Sequence, residues 1–185
     1  MKKNKNLLSR IGKALDKFGI DYMVIGGQAV LLYGEPRFTR DIDIVIGITP
    51  SKKEKIFDLV KELKLKIIVK NPEKFIKETY VLPCESSLDV MRVDFIFSDS
   101  EFEKNALKRV RVKKIDDCKV KFASIEDIII LKIVAGRERD LEDVYNILLK
   151  NKTVDYNYIY KSLKFFETIL NTDLSSIFKN IVSRT

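Results

Sequence analysis

Two aspartates stand two residues apart in a run that otherwise reads as a β-strand. The stretch RFTRDIDIVI, residues 37–46, has branched apolar weight at Ile42, Ile44, Val45 and Ile46, and Asp41 and Asp43 interrupt it. Side chains at i and i+2 point to the same strand face, so both carboxylates address one small volume. Asp is a poor strand former, and neighbouring like charges repel. Paired carboxylates at the start of an apolar strand suit Mg²⁺, which takes oxygen ligands and keeps waters for a phosphate-bearing ligand. The plainer alternative is an edge strand whose solvent-facing acids pair with Arg37 or Arg40. The apolar remainder of the strand argues for a central position instead.

A third carboxylate lies in RVDFIF, residues 92–97. Val93, Phe95 and Phe97 share one face, and Asp94 falls on the other. A carboxylate in a second apolar strand is costly if buried and unpaired. If the two strands are neighbours, Asp41, Asp43 and Asp94 meet on one face. Three carboxylates can hold two metal ions, or serve as two ligands and a general base for a hydroxyl. Asp89 has the opposite parity and reads as a loop residue.

The third feature is VIGGQAVLLYG, residues 24–34. A strand that ends in Gly26-Gly27 and runs into a helix presents backbone N–H groups at a helix N-terminus, a cradle for phosphate. Taken alone, Gly-Gly before a helix is more often an ordinary turn.

These groups need elements to position them. Leu7, Leu8, Ile11, Ala14, Leu15 and Phe18 follow helical spacing, predicting a helix over 4–18 that stops at Gly19. Strands are expected at 22–25, 41–46, 65–69, 79–82 and 90–97. Ser51 and Glu54 read as the capping box of a helix carrying Ile56, Leu59, Val60 and Leu63. Asn71-Pro72 opens a short helix. Residues 109–115 and 118–122 pair as a hairpin around Asp116-Asp117. From Ser124 the chain reads helical, at 125–134, 139–150, 156–169 and 173–182. The expected fold class is α+β (α/β-like): a mixed-sheet core over 1–123 and a helical region over 124–185 packed on it.

Composition narrows the chemistry. The chain has 185 residues, 45% hydrophobic and 34% charged, with a net charge of +8 and no histidine. Without histidine there is no Ser-His-Asp or Cys-His nucleophile and no His-ligated zinc. Cys84 and Cys118 are too few for a disulfide framework or a Cys-based zinc site. The positive charge fits a polyanionic partner, but taken alone it is better explained by a well-solvated, Lys-rich surface. No segment is long and apolar enough to span a membrane. The N-terminus lacks the apolar core and cleavage site of a secretion signal, so the cytoplasm is the expected location.

Gly26-Gly27, a helix, the run Arg37-x-Thr39-x-Asp41-Ile42-Asp43 and the later Asp94 together resemble the nucleotidyltransferase superfamily of polymerase β-like fold. The closer resemblance is to the branch containing abortive-infection, type IV toxin–antitoxin toxins. SIEDIIILKIVAGRERDLEDVYNIL, residues 124–148, resembles that branch's helical motif, with Lys132, Arg139-Asp140 and Asp143 at its marked places. The likeness covers roughly residues 20–150.

The resemblance implies transfer of a nucleoside monophosphate from an NTP to a hydroxyl on RNA (tRNA among the candidates) or protein, with release of pyrophosphate. It implies Mg²⁺ or Mn²⁺ on Asp41 and Asp43, with Asp94 as a base or second-metal ligand. Gly26, Gly27, Thr39 and Arg37 would serve the nucleotide. Lys132 would reach the triphosphate, Asp140 would be catalytic, and a cognate antitoxin would be a partner. Much of the superfamily has Gly-Ser where this chain has Gly26-Gly27, and the branch often has Ser where Thr39 stands. Read without the resemblance, Lys132 is a solvated helix residue and Arg139, Asp140 and Asp143 cap or staple the next helix. Two other functions remain open at this stage: a non-catalytic nucleotide- or partner-binding regulator of the same fold, and a basic nucleic-acid-binding domain.

Overall fold

The computed structural model describes residues 6–36 and 38–185. The described residues form two compact units, 6–28 with 39–123, and 29–36 and 38 with 124–185.

The first unit is built on a seven-stranded mixed sheet of order β3-β4-β5-β2-β1-β7-β6. Its strands are β1 (Tyr22–Ile25), β2 (Asp41–Ile46), β3 (Lys66–Ile67), β4 (Val81–Ser86), β5 (Met91–Phe97), β6 (Arg111–Ile115) and β7 (Cys118–Phe122). β2 is the middle strand, antiparallel to β1 and parallel to β5. The helices of this unit are α1 (Leu7–Lys17), α3 (Lys53–Glu62), α4 (Pro72–Thr79) and α5 (Glu101–Lys108). α2 (Gly26–Tyr33) begins in this unit at the end of β1 and continues into the second. The apolar side of the sheet carries Val24, Ile42, Ile44, Ile46, Val93, Phe95 and Phe97, all buried. Leu7, Leu8, Ile11 and Leu15 of α1 are buried too, and that helix packs on β7.

Local signals explain most boundaries. Asn6 caps α1 by accepting from Leu8 N–H, and Gly19 leaves it at φ +63°. Asn71 caps α4 with Pro72 in the first turn. Asp116 takes φ +50° at the tip of the β6–β7 hairpin. The expected capping box at Ser51 and Glu54 does not form. The chain makes a 3₁₀ turn over Pro50–Lys52, Ser51 bonds Thr49 at 2.7 Å, and α3 starts after Lys52 with no side-chain cap. A capping box does form at Ser100 and Glu103, where it starts α5, a helix the sequence reading missed. The strand expected over 65–69 shrinks to two residues, and the one expected over 79–82 starts later and runs to Ser86.

The second unit contains α6 (Ile125–Ala135), α7 (Glu138–Lys150), α8 (Tyr156–Leu170) and α9 (Leu174–Val182). α6 packs against each of the other three through Ile128, Ile129, Ile130 and Ile133, all buried. Ser124 caps α6 through Asp127 N–H, and Tyr158 OH donates to the buried Asp127 carboxylate at 2.8 Å. The end of α2 and the segment after it belong here. Asn151 donates to Tyr33 O at 2.8 Å and Lys150 to Gly34 O at 3.1 Å. No helix among the described residues is long and apolar enough to cross a membrane.

Candidate active site

The parallel register of β2 and β5 places Asp43 beside Asp94 and Asp41 beside Arg92. Strand alternation then puts all four side chains on one face, opposite the buried Ile42, Ile44, Val93 and Phe95. Asp43 and Asp94 are half-buried, and Asp41 is exposed. The branched residues drive this strand into the centre of the sheet, and its acids take the face the core leaves open.

Arg92 is the member of this face that sequence reading missed. Its Nε donates to Asp94 Oδ1 at 3.0 Å. The hydrogen bond to Asp94 pushes the guanidinium pKa up; burial opposes this, and the charges of Asp94, Asp41 and Asp43 add to the rise. The signal was available, since Arg92 and Asp94 have the i, i+2 spacing of Asp41 and Asp43. Behind the site, burial and the nearby Asp94 charge push the Cys84 thiol up to about 12, so it stays protonated as a core residue.

Gly26 explains how the chain passes so close to the acids. It has φ +62°, and a Cβ there would lie 2.0 Å from Asp43 Oδ2. Only glycine fits both the left-handed backbone and the approach of the carboxylate. Gly27 follows, buried in the first turn of α2. Thr39 Oγ1 donates to Asp41 O at 3.3 Å, a local turn that leads into β2. Arg37 lies outside the described residues. Asp89 sits in the β4–β5 turn, where it takes Ser86 Oγ at 2.5 Å and Arg10 at 3.1 Å.

The donor set fits a hard divalent cation. Among the described residues no three acidic or thiol groups stand close enough to form a metal cage. Mg²⁺ does not require one, since it is ordinarily bound by one or two carboxylates together with substrate phosphates and water. Asp41 and Asp43 are such a pair, and the glycine turn brings backbone against the second of them.

The second unit holds the other residues of interest. Lys132 Nζ lies 2.7 Å from both Asp140 Oδ1 and Asp143 Oδ2. Their side chains are 7%, 6% and 7% exposed, so this is a buried ion triad joining α6 to α7. Arg137 Nε also donates to Asp140 Oδ2. Burial pushes the Asp140 carboxyl up, but the bonds and charges of Arg137 and Lys132 outweigh it and hold the group below its ordinary range. Arg139 is exposed. Gly26, Gly27, Thr39, Asp41, Asp43 and Asp94 thus belong to the sheet unit, and Lys132 and Asp140 to the helical unit.

A mixed sheet with paired acids on its central strand, entered through a glycine turn, is a nucleotidyltransferase architecture. The chain belongs to a family of nucleotidyltransferases of unknown function (DUF6036), whose model matches residues 3–179. Its fold is similar to that of an antigenic nucleotidyltransferase-like protein from Paracoccidioides brasiliensis, with TM-score 0.56, 21% identity, and 94% of this chain and 90% of that one covered. It is also similar to the antibiotic-resistance factor ANT(2'')-Ia, with TM-score 0.63, 14% identity, and 89% and 91% covered. The lincosamide antibiotic adenylyltransferase LnuA matches with TM-score 0.55, 18% identity, and 78% and 98% covered. At these identities the likeness is one of fold. No curated protein matches the chain.

Proposed function

We propose that this chain transfers a nucleoside monophosphate from an NTP to an acceptor hydroxyl, using Mg²⁺ or Mn²⁺. The observation that carries the reading is the in-register pair Asp43–Asp94, with Asp41 on the same face and Gly26 against the Asp43 carboxylate. Three acids gathered on the central strands of a sheet add little to its stability, and metal-assisted phosphoryl chemistry gives them a use. Asp41 and Asp43 would hold the cation, which would supply charge neutralisation and orientation of the phosphates. Asp94 Oδ2 would take the acceptor hydroxyl's proton, Oδ1 being engaged by Arg92. Asp94 would instead become a ligand if a second cation binds. The N–H groups opening α2 at Gly26 and Gly27 would face phosphate, with Thr39 and Arg37 supporting the nucleotide.

Lys132 as the triphosphate cation and Asp140 as a catalytic carboxylate are part of the same reading, on the strength of the motif resemblance. Their burial in an ion triad supports a structural role as well, and the two roles separate by experiment. A toxin role, checked by a cognate antitoxin, is supported by the motifs of residues 124–148 alone. It predicts growth arrest on induction that Asp41→Asn/Asp43→Asn abolishes. The cytoplasm, where NTPs and RNA are found, is the compartment this reading requires.

The test is transfer of label from α-labelled NTPs to a macromolecule in cell extract. Label transferred to a macromolecule by wild type and not by Asp41→Asn/Asp43→Asn supports the proposal. Equal labelling by both proteins overturns it.

A further inference from the structure

We propose that the β6–β7 hairpin is a docking surface for RNA. The stretch KRVRVKKIDDCKVK, residues 108–121, has seven Lys or Arg and two Asp, a net +5 of the chain's +8. Arg111, Lys113, Lys114 and Lys119 are exposed, and none has an ion-pair partner among the described residues. Lysine on an edge strand is an ordinary guard against strand-to-strand association. That explanation covers part of β6, which is the sheet edge. It does not cover Lys119 on β7, an interior strand between β1 and β6. Nor does it explain Lys114 directly opposite Lys119, because like charges across a strand pair are destabilising.

Position relates the hairpin to the carboxylates. Arg111 pairs with Phe122, Phe122 with Val24, and the next residue of β1, Ile25, with Asp43. Val24 itself pairs with Ile44, so Arg111 is level with the neighbour of Asp43 and three strands away, about 14 Å at ordinary strand spacing. By strand alternation Arg111 and Lys113 lie on the side of Val24 and Ile44, and Lys114 and Lys119 on the side of the acids. A phosphodiester chain lying along Lys114 and Lys119 would come within a few nucleotides of the acids. The surface offers a two-stranded ladder of separated charges, with Val112 as its exposed apolar side chain, 52% exposed. A ladder of point charges with little apolar area suits repeated phosphates better than a bilayer. Calling RNA the acceptor rests on the transferase reading above, whereas the docking itself does not.

The test is fluorescence anisotropy of a labelled single-stranded RNA, without NTP, across 50–250 mM salt (a range of about fivefold, over which counterion release is readable). Lys113→Gln/Lys114→Gln/Lys119→Gln is compared with wild type and with a control, Lys55→Gln/Lys70→Gln/Lys77→Gln, which removes the same charge from exposed sites elsewhere. Wild type and control are expected to bind alike. The hairpin variant should lose at least about tenfold in affinity, with a salt slope flatter by about 2, or ~0.7 per lost phosphate contact. An unchanged hairpin variant, or a control that loses as much, overturns the proposal. So does wild type that ignores RNA while binding polyglutamate or anionic vesicles through these lysines. Calorimetric NTP binding with Mg²⁺ is measured on the same proteins. Intact NTP binding without RNA binding sinks the docking surface alone, and intact RNA binding without NTP binding sinks the transferase reading alone.

Discussion

Asp43 and Asp94 are register partners on the parallel strands β2 and β5, two half-buried carboxylates side by side at the centre of the sheet. Adjacent like charges on neighbouring strands work against folding. Asp43→Asn removes that repulsion. Its thermal unfolding midpoint is expected to match or exceed that of wild type. Nucleotidyl transfer should fall at least on the order of a hundredfold, since even an outer-shell partner of a metal site can cost that much. Differential scanning calorimetry and a turnover assay on one preparation check both halves. A variant that loses stability and keeps activity would assign Asp43 to the fold.

Gly26→Ala should be worse than its backbone angle alone explains. Gly19 has φ +63° with nothing within 4 Å of a built Cβ, while Gly26 has φ +62° with Asp43 Oδ2 at 2.0 Å. Gly19→Ala therefore isolates the left-handed penalty, about 1–2 kcal/mol. Gly26→Ala is expected to exceed it by urea denaturation and to lower NTP affinity, because Asp43 must move. Equal losses for the two variants would show that the close approach has no consequence.

Lys132→Ala leaves two buried carboxylates without their shared cation. Removing one partner from a buried ion pair costs about 3–5 kcal/mol, and Lys132 is buried against both Asp140 and Asp143. Urea denaturation is the check. A loss under about 1 kcal/mol, the size of a surface pair, would show that the triad is not holding α6 to α7.

The same triad sets an acid limit. The folded-state pKa of Asp140 is depressed by its bonds to Arg137 and Lys132 against the opposing effect of burial. Its stabilising contribution is therefore complete above the unfolded carboxyl value, about 3.9, and is lost as pH falls through the lower folded value. The stability gap between wild type and Asp140→Asn should be constant from pH 7 to about 5 and shrink below pH 4. A gap that widens with acid would reverse the assigned direction.

Strong local signals made much of this molecule readable. The alternation in DIDIVI and RVDFIF identified two strands and the faces of their acids. Ladder partners cannot be read from a strand's own pattern, so the pairing of Asp41 with Arg92 and of Asp43 with Asp94 emerged only from the structure, whereas the Arg92–Asp94 contact lies within one strand, where the spacing already placed both on one face. At Ser51 and Glu54 the capping spacing was present, but Pro50 directs a 3₁₀ turn and Ser51 bonds Thr49 instead. The same spacing at Ser100 and Glu103 does cap a helix, one of eight residues whose buried side is carried by Phe102 and Ala106. The grouping of residues 29–38 with the C-terminal helices depends on contacts such as Asn151 to Tyr33, more than a hundred residues apart in the chain.

The central claim is that Asp41 and Asp43 bind nucleotide through a divalent cation. The most direct measurement is calorimetric titration of each of the four NTPs, with and without Mg²⁺, into wild type and Asp41→Asn/Asp43→Asn. The expected result is binding of at least one NTP that requires Mg²⁺ and disappears in the double variant. Binding that is the same without Mg²⁺, or that survives loss of both carboxylates, would contradict the account.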